Sequence, residues 1–366
     1  MKPYCMFAMT SLNMKKIAIA LLAFFPFIVL CQKAQYKVAI CGFYNLENFY
    51  DTTDNPIVND NEFTPQGEKN YNGKIYWKKV HNLATVISQI GTDVSPDGVA
   101  LLGVAEIEND TVLTDLVHDP LLKDKNLKIV HYDSRDIRGV DVGLLYNPKY
   151  FKPEKSDKLF VQLPNNTPDN PHFTRDVLWV QGKLDGETIN IYVNHWPSRL
   201  GGEERSAPGR AAAAMTCKKH MDSLALIDPN QKVIIMGDLN DDPVSPSVTK
   251  VLISKAKKEE VKDGVLFNPW VDMYKKGLGT IGYQDAWSLF DQIMISKAWL
   301  SHDQKGYFFM KQFIFNKEYM VENQGRFKGY PMRTWDGNTY REGYSDHFPT
   351  YIIFAKKVGE APPTTY

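Results

Sequence analysis

From Tyr36 onward, short apolar runs alternate with stretches whose apolar residues recur at helical spacing. That alternation confines the chain to a layered α/β architecture. Residues 38–44, 99–105, 141–146 and 232–236 read as strands. The second and fourth are apolar almost throughout, which predicts cover on both faces. Residues 77–90 are predicted helical, because Val80, Leu83, Ala84 and Ile87 repeat at i, i+3, i+4 and i+7 and Gly91 then stops the run. The Ala-rich stretch 210–226 is a second helix. Residues 177–183 and 188–193 flank Asp185-Gly186, a hairpin signal, so a sheet containing them is mixed rather than purely parallel. Residues 290–295 and 349–354 are the last strands. No repeat or linker divides the chain, so residues 35–357 are expected to form one domain, with 358–366 a disordered polar tail.

The first residues follow a different rule. Lys15 and Lys16 precede the uncharged apolar run 17–30, shorter than the about 20 residues needed to span a bilayer. A basic flank and a short apolar core suit a signal peptide. Residues 1–34 are therefore read as a leader, with Met14 as the start of its basic part. Cleavage at Ala34 and lipidation of Cys31 both remain open, the latter giving membrane contact. Export to the periplasm or the exterior is expected either way. Only Cys41 and Cys217 lie in the body, with neither a disulfide framework nor metal-ligand spacing, and they read as buried thiols. Lys+Arg and Asp+Glu number 43 each, so net charge gives no general affinity for polyanions.

The polar residues that stand out lie where apolar strands begin or end. Asn45 follows the first strand, and Glu106 the second, with Glu108 two residues on. Asn194-His195-Trp196-Pro197 and Gly237-Asp238-Leu239-Asn240 follow two more. Asp291 opens one late strand, and Ser345-Asp346-His347 precedes the last. Loops at strand ends are where a rigid scaffold presents reactive groups. Carboxylate and amide oxygens with few imidazoles and no thiolates suit Mg²⁺, Mn²⁺ or Ca²⁺ rather than structural zinc. Phosphodiester hydrolysis needs a charge sink, a group that aims or deprotonates water, and contacts to the phosphate. Glu106 with a metal, Asp238 with Asn240, and His347 or His195 can supply these. Taken singly, each has a plainer reading: a turn for Asp238-Leu239-Asn240, a capping pair for Asp346-His347, a solvated side chain for Glu106. The acidic run Glu47, Asn48, Asp51 and Asp54 reads as a solvated loop, with an extra cation site as the alternative. Arg199, Arg205 and Arg210 read as a phosphate-gripping loop.

Taken in order, Asn45, Glu106, Arg175, His195, GDLN at 237–240, Asp291 and SDH at 345–347 resemble the endonuclease/exonuclease/phosphatase superfamily over residues 36–355. The resemblance implies a four-layer α/β/β/α sandwich, two mixed β-sheets face to face with helices outside. It implies that Glu106, with Asn45 and Asp346, binds the metal, and that Asp238 acts on the attacking water with help from Asn240. His347, paired to Asp291, would contact the scissile phosphate; His195 would hold another phosphate oxygen and Arg175 would buttress the site. Glu108 stays open as a substitute for Glu106, and Asp141 is the nearest candidate for an acidic partner of His195.

A secreted nuclease acting on nucleic acid as a monomer is the leading expectation. The alternative is a phosphatase or phosphodiesterase of lipid, sphingomyelin or inositol phosphates, for which the aromatic-rich residues 307–315 would have to form an exposed membrane-facing hairpin. A catalytically silent binding domain would need one of Glu106, Asp238, Asn240 or His347 to be missing, and none is.

Overall fold

Alternation along the first strand divides it between two cores. In the computed structural model, which describes residues 34–164, 166–301 and 306–360, strand β1 (Ala34–Phe49) sends Ala39, Cys41 and Phe43 to one face and Ile40 and Tyr44 to the other. It pairs in parallel with β2 (Leu101–Ile107), which pairs antiparallel with β4 (Asp141–Tyr146), itself bordered by β3 (Lys128–His131). With β14 (Phe308–Ile314) and β17 (Thr350–Glu360) these make a six-stranded sheet, order β14-β17-β1-β2-β4-β3. The second sheet has seven strands, β5-β6-β7-β8-β13-β10-β9. They are β5 (Phe151–Leu159), β6 (Val177–Leu184), β7 (Glu187–His195), β8 (Lys232–Asp238), β9 (Ser254–Lys255), β10 (Leu266–Phe267) and β13 (Asp291–Ser296). The hairpin at Asp185-Gly186 joins β6 to β7, and β7 runs parallel to β8. Both sheets are mixed. Two small hairpins, β11 (Ile281–Tyr283) with β12 (Ala286–Ser288) and β15 (Trp335–Asp336) with β16 (Thr339–Tyr340), lie outside them.

Three cores make the layers. Phe43, Leu144, Ile191, Ile234, Met236, Ile293 and Ile352 fill the space between the sheets. Helix α1 (Gly73–Ile87) and helix α2 (Asp110–His118) cover the outer face of the first sheet, Val80, Leu83, Ile87, Leu113 and Leu116 packing with Tyr44, Leu102 and Val104. Helix α3 (Glu203–Ala225) covers the second, Ala213, Ala214, Cys217 and Met221 against Tyr192, Val233 and Ile235. The order is helix, sheet, sheet, helix, as the resemblance implies. Cys41 and Cys217 are buried free thiols, and burial pushes the Cys217 thiol up to about 12.

Some boundaries differ from the sequence reading. Helix α1 begins one turn early because the Asn72 side chain accepts from Lys74 N–H and Ile75 N–H. Helix α3 starts at Glu203 and runs through Pro208, whose place in its second turn forfeits only one early hydrogen bond. Strand β17 continues to Glu360, three residues into the expected tail. Residues Tyr36–Lys357 form one compact unit. The leader features expected at Met14, Cys31 and Ala34, and the tail beyond Glu360, fall outside the described residues apart from the backbone of Ala34. Among the described residues no helix is long and apolar enough to cross a membrane. Tyr307, Phe309 and Phe315 are buried, so the aromatic stretch is core rather than an exposed hairpin.

Candidate active site

Strand register brings the first pair together. Asp238, the last residue of β8, lies directly opposite Asp291, the first of β13. Gly237 just before it is required by a close approach: a Cβ there would sit 2.3 Å from the Asn194 carbonyl oxygen on the neighbouring strand. The turn after β8 folds back on itself. Asn240, at φ 47°, donates its N–H to Asp238 Oδ1 (3.0 Å) and its Nδ2 to the Trp196 carbonyl (3.0 Å). Asn45 Nδ2 donates to Asp238 Oδ2 at 3.0 Å. Ser345 Oγ donates to the Asn45 carbonyl (2.7 Å) and accepts His347 N–H (3.1 Å), fastening the last motif to the end of β1.

Two buried imidazoles flank Asp238 in opposite charge states. His347 Nδ1 lies 2.8 Å from Asp291 Oδ2, and its Nε2 lies 3.8 Å from Asp238 Oδ2 and 3.8 Å from Asp346 Oδ1. Burial disfavours its charge, but Asp291 and Asp238 outweigh burial and lift it well above the ordinary histidine value. His195 Nε2 lies 3.6 Å from Asp238 Oδ2 and 3.7 Å from Glu106 Oε1. Burial and then the Arg175 charge push it well below that value, so it is neutral. Asp238 is itself pushed up to about 6, by burial first and Asp291 next, with His347 pulling the other way. Asp238, Asp291 and His347 bring ligand atoms within 4.8 Å of one another. The His347–Asp291 hydrogen bond accounts for that geometry without an ion between them.

Glu106 occupies the end of β2 at φ 58°. Its Oε2 accepts Asn48 N–H (2.8 Å), and Oε1 lies 3.4 Å from Arg138 Nη2. Burial raises its pKa, but Arg138, His195 and the Asn48 N–H more than offset that and hold it below the usual carboxylate range. Glu108 faces elsewhere: it accepts Asp51 N–H at 2.6 Å, and burial pushes it up to about 8. Asp346 sits 3.4 Å from Arg333 Nη2. An ionised Glu106, the Asp346 carboxylate and the Asn45 amide are an all-oxygen donor set, which fits a hard divalent cation. Neither oxygen of Glu106 is locked by a short side-chain partner, so it keeps lone pairs for one.

Supporting residues differ from the sequence expectation at Asp141, at Arg199 and Arg210, and at Glu47. Arg175 does brace the site, donating to the His195 carbonyl (3.1 Å) and the Trp196 carbonyl (2.6 Å), but its carboxylate partner is Asp136 at 2.9 Å. Asp141 is not beside His195; it lies 3.4 Å from His131 and accepts Ser134 N–H. Arg199 and Arg210 are not free to grip phosphate. Arg210 is buried 2.7 Å from Asp241, and Arg199 donates to the Asn240 carbonyl (2.9 Å) and to Asp242 (3.1 Å), so both shape the turn after β8. Glu47 is no solvated loop residue. It is buried at φ 49°, accepts Thr334 N–H (2.7 Å), and is pushed up to about 7 by burial and Asp346. Arg138 and Asp136 were missed; their only signal was a charged turn, 135–138, just before the strand at 141.

A model of the Endonuclease/Exonuclease/phosphatase family matches residues 40–356. A comparison with curated proteins returned no match. Among solved structures, a family protein of that description from Bacteroides thetaiotaomicron superposes with a TM-score of 0.53 at 16% identity, over 89% of this chain and 100% of that one. The mannosyl-6-phosphatase of Bacteroides thetaiotaomicron VPI-5482 gives 0.51 at 15%, over 86% and 99%. The D. rerio TDP2 complexed with a single-strand DNA product gives 0.51 at 12%, over 87% and 99%. At these identities the likeness to solved structures establishes the fold.

Proposed function

Because the chain belongs to the endonuclease/exonuclease/phosphatase family, and so hydrolyses phosphate esters with a divalent metal, we propose that its substrate is a nucleic-acid phosphodiester and that it is exported. The observation that carries this reading is the placement of Asp238 Oδ2 between two buried imidazoles, 3.6 Å from His195 Nε2 and 3.8 Å from His347 Nε2. A phosphodiester has two non-bridging oxygens to hold and a leaving oxygen to stabilise, and two separate imidazoles suit that demand.

Asp238 is the group that aims the water and takes its proton, for which a pKa near 6 leaves it ionised at neutral pH. Asn240, its amide nitrogen fixed on the Trp196 carbonyl, presents its oxygen for the same water. His347, held charged by Asp291, donates to a phosphoryl oxygen as negative charge builds there. His195 donates to another. Arg175 keeps the His195 loop in place. Glu106, with Asn45 and Asp346, would hold Mg²⁺, or Mn²⁺ or Ca²⁺ in its place, and the ion would supply a charge sink for the phosphoryl oxygens. The expectation of export rests on the basic and apolar pattern of residues 15–30; fractionation of cells expressing the whole chain tests it, and protein retained in the cytoplasm would sink it.

The deciding assay incubates the protein with supercoiled plasmid, single-stranded DNA and RNA, in Mg²⁺, Mn²⁺ or EDTA, with Asp238→Asn alongside. Sphingomyelin, an inositol polyphosphate and a sugar phosphate go in parallel tubes. Metal-dependent cleavage of nucleic acid that vanishes in the variant supports the reading. Intact nucleic acid with phosphate or choline release elsewhere replaces it with the phosphatase or lipid phosphodiesterase alternative.

A further inference from the structure

Beside Asp346 opens a cavity of about 230 Å³, lined by Tyr283, Gln284, Arg326, Phe327, Tyr330 and Arg333 among others. It is below the 300–1,000 Å³ of sites for drug-sized ligands, and suits one ring with its substituents. Its walls are preformed. Glu322 N–H donates to the Tyr330 carbonyl (2.9 Å) and Gly329 N–H to the Glu322 carbonyl (2.7 Å), closing the 322–330 turn. Tyr330 packs edge-on against Trp287 with centroids 5.4 Å apart. A Cβ at Gly282 would lie 2.7 Å from the Tyr330 ring, so the turn and the β11–β12 hairpin are in close contact.

The charges of this cavity are unevenly committed. Glu322 is answered by Arg341 at 3.2 Å and Asp346 by Arg333 at 3.4 Å. Arg326 lies over the Phe327 ring (5.6 Å) and faces no carboxylate within 4.0 Å among the described residues. Arg333 lies over the same ring at 6.0 Å. Tyr283, at the hairpin tip, is 70% exposed and offers a free ring face. An uncommitted guanidinium, an exposed aromatic ring and a wall shared with Asp346 ask for a ligand that joins a flat ring to an anion next to the reacting phosphate. A neutral sugar would leave the guanidinium unused, whereas a nucleotide uses both features.

We propose that this cavity is a subsite for the nucleotide adjoining the scissile phosphate, its base stacked on Tyr283 and its far phosphate on Arg326. The inference rests on the nucleic-acid reading of the neighbouring site. Aromatic stacking tolerates any base, so the subsite favours single-stranded substrate without reading sequence.

The test uses a labelled single-stranded oligonucleotide and a matched one carrying an abasic residue beside the cleaved bond, with bis(p-nitrophenyl) phosphate as a small diester, all in Mg²⁺. Wild type should cut the natural strand about tenfold faster in kcat/KM than the abasic one. Tyr283→Ala, at an exposed position, should lose that preference while still cutting the abasic strand at the wild-type rate, and Arg326→Ala, also exposed, should slow both strands alike and keep the preference. Equal cutting of the two strands by wild type would overturn the subsite, as would a Tyr283→Ala variant that keeps the preference or an Arg326→Ala variant that cuts both strands at the wild-type rate. Hydrolysis of the small diester with neither strand cut would sink the nucleic-acid reading itself, and the subsite with it.

Discussion

Two clusters of histidine and carboxylates in this molecule have the same composition and opposite prospects. At one, Asp238, Asp291 and His347 bring ligand atoms within 4.8 Å; at the other, His131, Asp133 and Asp141 do the same. In the second, the buried groups are answered from within the protein. His131 Nδ1 lies 2.9 Å from Asp110, its Nε2 3.4 Å from Asp141, and Asp141 takes the Ser134 N–H. In the first, capacity is left over inside the protein: Asp291 Oδ1 and His195 Nδ1 are buried without a hydrogen-bond partner. A buried polar atom left unsatisfied costs about 1–3 kcal/mol, and a fold keeps such atoms where a substrate or ion has use for them. Between these two clusters, unspent bonding capacity at buried atoms, rather than residue type, is what differs.

The largest effect expected is at Asp238. Asp238→Asn should lower kcat by about a thousandfold or more with an unchanged circular dichroism spectrum; activity within tenfold of wild type would erase the contrast between the clusters. Next, His347→Ala should cost about 10²–10⁴ in rate, while His131→Gln stays within about twofold; a large loss in the His131 variant would make the second cluster part of the machinery. At the metal, Glu106→Gln should weaken Mg²⁺ binding about tenfold by calorimetry and Glu108→Gln should not change it. The reverse result moves the ligand to Glu108.

The smallest effects lie in pH. Although burial opposes it, Asp141 and Asp110 raise the His131 pKa. That stabilisation is complete below the ordinary histidine value and is lost as pH rises through the raised one. At about 1 kcal/mol or less for a partly exposed pair, the difference in Tm between wild type and His131→Gln should be about 2 °C at pH 5 and vanish at alkaline pH. A difference that grows with pH would invert the assignment. Glu108, pushed up to about 8, also favours its protonated form, so the fold loses its contribution as pH rises from the ordinary carboxylate range through 8. Glu108→Gln should therefore be more stable than wild type above pH 8.

Much of the site was readable because its residues end apolar strands, and strand ends can be located from hydrophobicity alone. GDLN carries its own reason: the glycine permits the close approach to Asn194, and the Asn tolerates a left-handed turn. The choice between Glu106 and Glu108 could not be read that way. Residues two apart on a regular strand share a face, but Glu106 at φ 58° breaks the alternation where the β2–β4 register shifts, and the two side chains part. Nothing in the order of residues announces such a bulge. Asp136 and Arg138 were hidden for a related reason, since their partners Arg175 and Glu106 come from the segment before β6 and from β2, far away in sequence, and a charged turn reads as surface. Helix α3 was begun late because Pro208-Gly209 reads as a stop when its place in the second turn is unknown.

The facing of Asp238 and Asp291 across β8 and β13 makes catalysis a gauge of alignment. Like charges directly opposite on neighbouring strands repel, and the His347 contact to Asp291 and the Asn45 amide on Asp238 offset that repulsion while the ladder between the strands holds the register. A full shift of one residue would turn Asp291 to the other face and carry Ile293 and Ile295 out of the core between the sheets, so the core itself resists it. A displacement short of a slip should thus be seen first as lost turnover in a protein that still melts near its usual temperature. Activity, rather than melting, is the sensitive readout when strands β8 and β13 are engineered.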